Sequence, residues 1–422
     1  MSPGLRCPGM LSRDEYQTLR SRMIFEWGKW DPQCQDVEVL APYPLVLDEP
    51  VWRALARDAE TLAAEATAAE CEILGRPELL RELGLPRPIR RALERGRTSP
   101  DAPRCIRFDF HPTTDGWRIS EANTDVPGGF IEAAGLPAAM ADRFPAGRSA
   151  GDPADALARA LRRRVERDAL IGLVHATAYS DDRQVMLLLA RRLNDLGVRT
   201  ILLGPDRISW DRGTARIHAP DRPDAPTALD AIVRFFPAEW LANLSHASGW
   251  REFFNAGTLQ INPPSALITQ SKRFPLVWDR LKTPMPAWRR LLPETLDPRR
   301  IPRGQDHRWV LKPALGRVGD GIGLRGVSTD REWRRAVRYS RRWPGHWAAQ
   351  RRFESAPVVT PEGERHVCLG VFVIDSRAAG IYARLSRRAL IDAGSQDVGV
   401  FIGAAEPAPV CGVEHERARA AV

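Results

Sequence analysis

Lysine is almost missing from this 422-residue chain: only Lys29, Lys272, Lys282 and Lys312 occur among 62 basic residues, leaving 58 arginines. So deep a bias reads as coding pressure toward arginine. It makes every retained lysine informative, because Lys offers a compact charge on a flexible stem where Arg offers a rigid planar fork. Cysteine is sparse too. The six (Cys7, Cys34, Cys71, Cys105, Cys368, Cys411) are far apart, with no CxxC pair and no His at ligand spacing, which argues against a zinc site or a disulfide framework and for reduced thiols. Long apolar runs are absent: Leu170–Val174 and Val367–Ile374 are strand-sized, well short of the roughly 18 to 20 residues of a membrane-spanning helix. The opening Met1-Ser-Pro-Gly-Leu-Arg-Cys has neither a charged n-region nor an apolar h-region, so the expected location is cytoplasmic. There is no internal repeat and no long low-complexity tract.

What is present is ordinary globular composition, 43 % apolar and 27 % charged with a mean hydropathy of -0.33, in a chain longer than a single core usually organises, which predicts one large multi-lobed unit or two to three domains. The net charge of +9 would suit a polyanion, but the basic residues are interleaved with 53 acids and no recognition motif accompanies them, so nucleic acid is an unlikely partner. The pattern predicts helices over 13–27, 51–74 and 88–95, making 1–103 a helical N-terminal region. After the linker 98–103 the period changes to two. Strands over 104–110 and 117–123 then flank a three-residue turn, Thr114-Asp115-Gly116, whose register sets Asp109 opposite Glu121 and Arg107 opposite Asn123 on one face. Strand, helix and strand at 170–174, 182–196 and 199–203, with another strand at 231–235, predict a right-handed parallel crossover in a Rossmann-like region over 169–262. A helix over 265–281 capped by Ser265, a strand at 309–312, a helix near 329–339 and strands around 347–352, 367–375 and 380–384 complete a mixed α/β chain whose last residues, 403–422, read as a flexible tail.

Three constellations carry chemistry. Asp109, Glu121 and Asn123 form a hard-oxygen set suited to an octahedral magnesium ion, with Arg107 able to hold a carboxylate or acyl phosphate; the alternative is a solvated hairpin face paired to Arg107 and Arg118. Lys312 ends a strand and precedes Gly316, Gly319, Gly321 and Gly323, a loop whose backbone N–H groups can approach phosphate oxygens; it is not a Walker sequence, and a plain surface loop is the other reading. Lys272, in Gln270-Ser-Lys272-Arg273, follows the Asn262-Pro-Pro-Ser265 break and is either a second phosphate lysine or a surface one.

Together these resemble the ATP-grasp domain of the glutathionylspermidine synthetase family, in which the metal-binding segment precedes the nucleotide-binding one. The resemblance runs from 104 to 402 through Arg107-Phe-Asp109, Glu121-Ala-Asn123-Thr-Asp-Val-Pro127, Arg234-Phe-Phe-Pro-Ala-Glu239-Trp240, Asn262-Pro-Pro-Ser265, Lys312-Pro to Gly321, and Gly380-Ile-Tyr-Ala-Arg384. It implies an ATP-grasp fold, with 104–168 carrying the metal-binding hairpin and the following helices of the core and 263–402 the nucleotide-binding region. It also implies ATP and Mg2+ as cofactors, magnesium on Asp109, Glu121 and Asn123, and nucleotide phosphates on Lys272, Lys312 and the Gly316, Gly319 and Gly321 loop. Adenine would be gripped near Gln350, the acyl phosphate steadied by Arg107, and the transferring phosphoryl group reached by Arg384. The expected activity is amide formation between a small-molecule or peptide carboxylate and an amine. No amidase is expected, because the residues before Arg104 are too few for one. The alternatives are the same scaffold without ligation and a basic nucleic-acid-binding protein.

Overall fold

A computed structural model describes residues 4–30, 32–34, 37–96, 102–145, 147–219, 222–302, 304–316 and 319–404. The predicted tail lies, from residue 405, outside the described residues. The N-terminal helices form close to where their patterns place them: α1 (Arg13–Phe25), α2 (Glu49–Leu74) and α3 (Arg87–Arg95). Ser12 and Glu15 close a capping box at the start of α1, satisfying two N–H groups left open by helix geometry. On α2 the buried face is Leu55, Ala59, Leu62, Ala66, Ala69 and Ile73, at three- and four-residue spacing. The expectation of a helical N-terminal region over 1–103 does not include β1 (Leu45–Asp48), which pairs in parallel with Val400–Gly403 at the other end of the described chain.

Next come β2 (Cys105–Thr113) and β3 (Gly116–Asn123), then helix α4 (Phe130–Met140). The parallel unit follows as β4 (Leu170–His175), α5 (Ser180–Asp195), β5 (Arg199–Leu203), β6 (Ala231–Phe235) and β7 (Leu259–Ile261), in the order β7-β6-β4-β5. β4 is buried at every position, as a strand covered on both faces must be. A four-stranded antiparallel sheet contains Thr295–Leu296, β8 (Trp309–Pro313), Gly323–Leu324 and β9 (Trp347–Arg351), backed by α6 (Asp330–Arg342). Helix α6 also shows that the positive charge is not evenly spread, since Arg331, Arg334, Arg335, Arg338, Arg341 and Arg342 are all exposed on it.

The central sheet adds β10 (Gly363–Ile374), β11 (Arg377–Ser386) and β12 (Gln396–Val398) in the order β12-β11-β10-β2-β3, all antiparallel. Helix α2 lies over β10 and β11 and is tied to the segment before β8: Glu65 accepts the backbone N–H groups of Ala287 (3.0 Å) and Trp288 (3.2 Å), and the Trp288 indole donates to Leu62 O at 2.9 Å. Trp288 in turn meets Phe108 of β2 edge-on at 5.8 Å, so the helical layer and the sheet share one core.

The helix expected over 265–281 is not continuous. A short helix at Leu267–Gln270 stops at Ser271, which is extended, and 3-10 turns resume at Phe274–Arg280. Pro275 explains the break: it has no N–H to donate back into the preceding turn and its ring crowds the carbonyl four residues earlier. The Ser271 hydroxyl, held on Leu83 O at 2.6 Å, accepts the Arg273 N–H instead. Ser265 is buried and caps nothing, its hydroxyl having no hydrogen-bond partner among the described residues.

Candidate active site

One face of the central sheet gathers the predicted residues in two adjacent rows. Glu121, Asp109, Gly370 and Tyr382 are successive cross-strand partners on β3, β2, β10 and β11. In the next row Cys368 on β10 faces Arg384 on β11, which faces Asp397 on β12. The pairings Asp109–Glu121 and Arg107–Asn123 are those the sequence predicts, but the turn is one residue shorter than expected, with Thr113 opposite Gly116. A β-bulge between Asp109 and Phe110 places the extra residue, Ser120, on β3 and so restores the register.

The bulge also has a chemical consequence. Ser120 O accepts the Lys312 ammonium at 2.9 Å, and its hydroxyl sits 3.0 Å from His111 Nε2. Burial pushes His111 down to about 4, with the Lys312 charge acting in the same direction, so this imidazole is neutral. Lys312 further donates to Gln350 Oε1 at 2.7 Å across β8 and β9. Lys272 reaches the same centre from the broken helix: its Nζ pairs with Glu121 (2.8 Å) and donates to Gly316 O (2.8 Å), while its backbone N–H donates to Ala314 O. Arg107 grips Asp109 through Nε (2.7 Å) and Nη2 (3.0 Å) and Gly128 O through Nη1 (2.6 Å); Asn123 Nδ2 adds a bond to Asp109 at 3.1 Å. Gly370 makes room for this, since a Cβ there would lie 2.7 Å from the Arg107 side chain.

The electrostatics follow from burial and an excess of cations. Burial alone would raise Glu121, but Lys272 and Lys312 outweigh it and hold the carboxyl down to about 2. Asp109 is raised by burial and by Glu121 opposite it, against the pull of the Arg107 fork. Lys312 is lowered to about 8, first by burial and then by Lys272, with Glu121 opposing. Three cations thus surround two carboxylates, and the surplus positive charge is what an anionic ligand would neutralise.

The donor chemistry of Asp109 and Glu121 fits a hard divalent cation, since Asp109 Oδ1 and the Glu121 carboxylate keep lone pairs beyond those their arginine and lysine use, while Asp109 Oδ2 already accepts from both Arg107 and Asn123. Asn123 could add an amide oxygen only by turning the amide that now donates to Asp109. Among the described residues no three His, Cys, Asp or Glu side chains form a metal cluster, so for a bound cation these residues would be a partial shell that other ligands would have to complete.

Not every predicted residue meets here directly. Gly319 and Gly321, both at positive φ, lie with Gly316 on a cleft of about 720 Å3 beside α6 and Arg388. Arg317 and Val318 fall outside the described residues. A second cleft of about 860 Å3, around Trp210 and His218, contains none of the predicted residues. Arg384 donates to Ser395 O at 3.1 Å and stands on the active face.

Several residues quoted for the family resemblance turn out to be joints. Arg234 and Asp125 form an ion pair with both side chains fully buried, and Arg234 also donates to Asn262 O at 2.9 Å. Asn262 accepts Cys105 N–H (2.9 Å) and donates to Cys105 O (2.6 Å) and Asp125 O (3.0 Å), bolting the end of the parallel sheet to the start of β2. Gln270 Oε1 receives the Thr124 and Asp125 N–H groups at 2.8 and 3.1 Å.

The comparisons agree with this architecture. The sequence matches the family described as glutathionylspermidine synthase preATP-grasp over residues 40–403. The chain belongs to that family. Its fold is that of an ATP-grasp protein, and it is a member of the ATP-grasp ligase superfamily. The apo structure of a glutathione synthetase-like effector, GSS30, from Globodera pallida superposes with a TM-score of 0.62 at 13 % identity, covering 92 % of this chain and 96 % of that one. A protein of Methylobacillus flagellatus KT named for gamma-glutamylcysteine synthetase has a TM-score of 0.39 at 13 % identity, covering 77 % and 88 %. No curated protein matches. No helix among the described residues is long and apolar enough to cross a membrane.

The sequence reading missed Gly370 and Ser120, and it quoted Tyr382 within the Gly380–Arg384 motif without giving it a role. Gly370 left a signal, a lone glycine inside the apolar run of β10. Ser120 left none, because a bulge that compensates a short turn yields the same facing pairs as a regular hairpin.

Proposed function

We propose that the protein is an ATP- and Mg2+-dependent carboxylate–amine ligase that works through an acyl phosphate. The observation that carries this reading is the convergence of two of the chain's four lysines from separate segments, Lys272 paired with Glu121 and Lys312 on the carbonyl of the adjacent Ser120, beside the Arg107–Asp109 pair. In this reading Lys272 and Lys312 hold the nucleotide phosphates, with Gly316, Gly319 and Gly321 over them and Gln350 near adenine. Asp109 and Glu121, with Asn123 after its amide turns, would hold magnesium, which when bound neutralises phosphate charge and fixes the nucleotide's orientation.

The substrate carboxylate oxygen attacks the γ-phosphorus and the bond to the ADP oxygen breaks. The lysines and Arg384 neutralise charge on the phosphoryl oxygens, and Arg107 steadies the acyl phosphate. The amine then attacks the acyl carbon, phosphate leaves, and the nitrogen loses a proton to yield the amide. No protein nucleophile is required. His111, neutral and hydrogen-bonded inside the sheet, is given no part in proton transfer.

The test is phosphate release by the purified protein with Mg·ATP, screened against pooled carboxylates and amines, with mass analysis of the product. Release that needs one acid and one amine, with a product equal to their sum less water, is expected. Release of AMP, or phosphate transfer that leaves acid and amine uncondensed, would contradict the reading.

A further inference from the structure

A second charged cluster is buried against the active face and contains the chain's remaining buried lysine. Lys29 lies in the turn after α1 and is only 9 % exposed. Its backbone N–H donates to Met23 O, and the turn is clamped from outside by Arg191, which donates to Glu26 O (2.7 Å) and Trp27 O (3.1 Å), and by Gln184, which accepts the Trp30 N–H. So fixed, the Lys29 ammonium pairs with Glu132 in the first turn of α4 and with Asp397 Oδ2 at 3.1 Å. In a chain that uses arginine almost everywhere, this lysine fits between two carboxylates.

Asp397 is the hub. Its Oδ1 accepts the Tyr382 hydroxyl at 3.0 Å, and the Tyr382 ring lies beneath the Arg107 guanidinium, 5.0 Å from centroid to Cζ. Arg384, its direct cross-strand partner, approaches the same Oδ1 only to 3.6 Å through Nε. That Nε–H is buried and has no hydrogen-bond partner among the described residues, while Nη2 is committed to Ser395 O. A buried guanidinium beside a carboxylate ordinarily closes into a bidentate fork. Here both Asp397 oxygens are already engaged, one by Lys29 and one by Tyr382, and the fork does not form.

We propose that Lys29 is a positioning residue: by occupying Asp397 it keeps Arg384 from closing onto that carboxylate and leaves the Arg384 guanidinium, whose side chain keeps 15 % of its surface exposed, on the active face for the anionic group transferred in the site. This rests on the ligase reading, in which Arg384 acts on the phosphoryl group. Removing the ammonium frees Asp397 Oδ2, and the uncompensated carboxylate then draws Arg384 off the active face.

The experiment uses the full chain carrying Lys29→Met. Phosphate release dependent on acid and amine should fall at least about tenfold in kcat with the KM for ATP within about twofold, because the nucleotide's own lysines are untouched. Adding Asp397→Asn should recover at least about threefold of the lost kcat, since an amide competes poorly for a guanidinium; two lesions in a merely structural network would instead compound. A crystal structure of K29M should show Arg384 Nε at hydrogen-bond distance from Asp397. Should K29M fail to fold, the charge-balanced K29M/E132Q protein carries the same measurements. Wild-type kcat in K29M, no recovery in the double variant, or an unmoved Arg384 would overturn the proposal. If the wild-type protein releases no phosphate with any acid and amine, the ligase reading fails by itself, and the position of Arg384 in K29M still decides this inference.

Discussion

At the scale of single residues, the centre is a balance in which cations outnumber carboxylates by one. The clearest consequence is the behaviour of Lys312, lowered to about 8 by burial and the neighbouring Lys272. A bound phosphate chain stabilises the protonated form, so binding takes up a proton wherever the free lysine has lost its own. The ADP dissociation constant should therefore rise as pH climbs through about 8, approaching tenfold per unit until the bound-state pKa is reached. Lys312→Met should bind weakly at all pH values and without that slope, a comparison isothermal titration makes directly. The carboxylates make a complementary prediction. Asp109→Asn and Glu121→Gln should each lower kcat by about 100-fold or more while leaving circular dichroism and the cooperativity of unfolding intact. Normal turnover in either variant would remove the carboxylates from the chemistry.

Elements decide which of these residues meet, and here the sequence was legible unevenly. Periodicity exposed most of the long helices and strands, because their apolar positions recur at 3.6 or 2 whatever surrounds them, but it gave no bounds for the helices at Phe130–Met140 and Pro153–Arg162. The facing of Asp109 and Glu121 was legible as well, though through a turn one residue too long that the Ser120 bulge offsets. The break at Ser271 was written in Pro275 but masked by the apolar period running through it, and it is what aims Lys272 at Glu121. Deleting Ser120 tests the element directly. Without it the register from Thr113 to Arg107 becomes regular and keeps the same pairs, so the hairpin and the melting temperature should survive. The carbonyl that anchors Lys312 disappears, and ADP affinity should drop several-fold. An unchanged affinity would mean that the bulge serves only the strand.

For the whole molecule, what sequence reasoning could not see was long-range pairing. The sheet joining β1 to Val400–Gly403 links segments about 350 residues apart, and two four-residue strands give no local hint of each other. Val400, Phe401 and Ile402 are each at most 2 % exposed, so ending the chain at Val398 should cost about 2 kcal/mol for each lost side chain and abolish a cooperative thermal transition. The joints at Arg234, Asp125 and Asn262 belong to the same scale. They were visible as motif residues, but only three-dimensional contact shows that they fasten the parallel sheet to β2. The account as a whole comes down to the fate of one oxygen atom. With the acid substrate identified by the phosphate-release screen and labelled with 18O in its carboxylate, the account predicts one labelled oxygen in the released inorganic phosphate and none in the nucleotide. Label in AMP, or unlabelled phosphate alongside a condensed product, would contradict it.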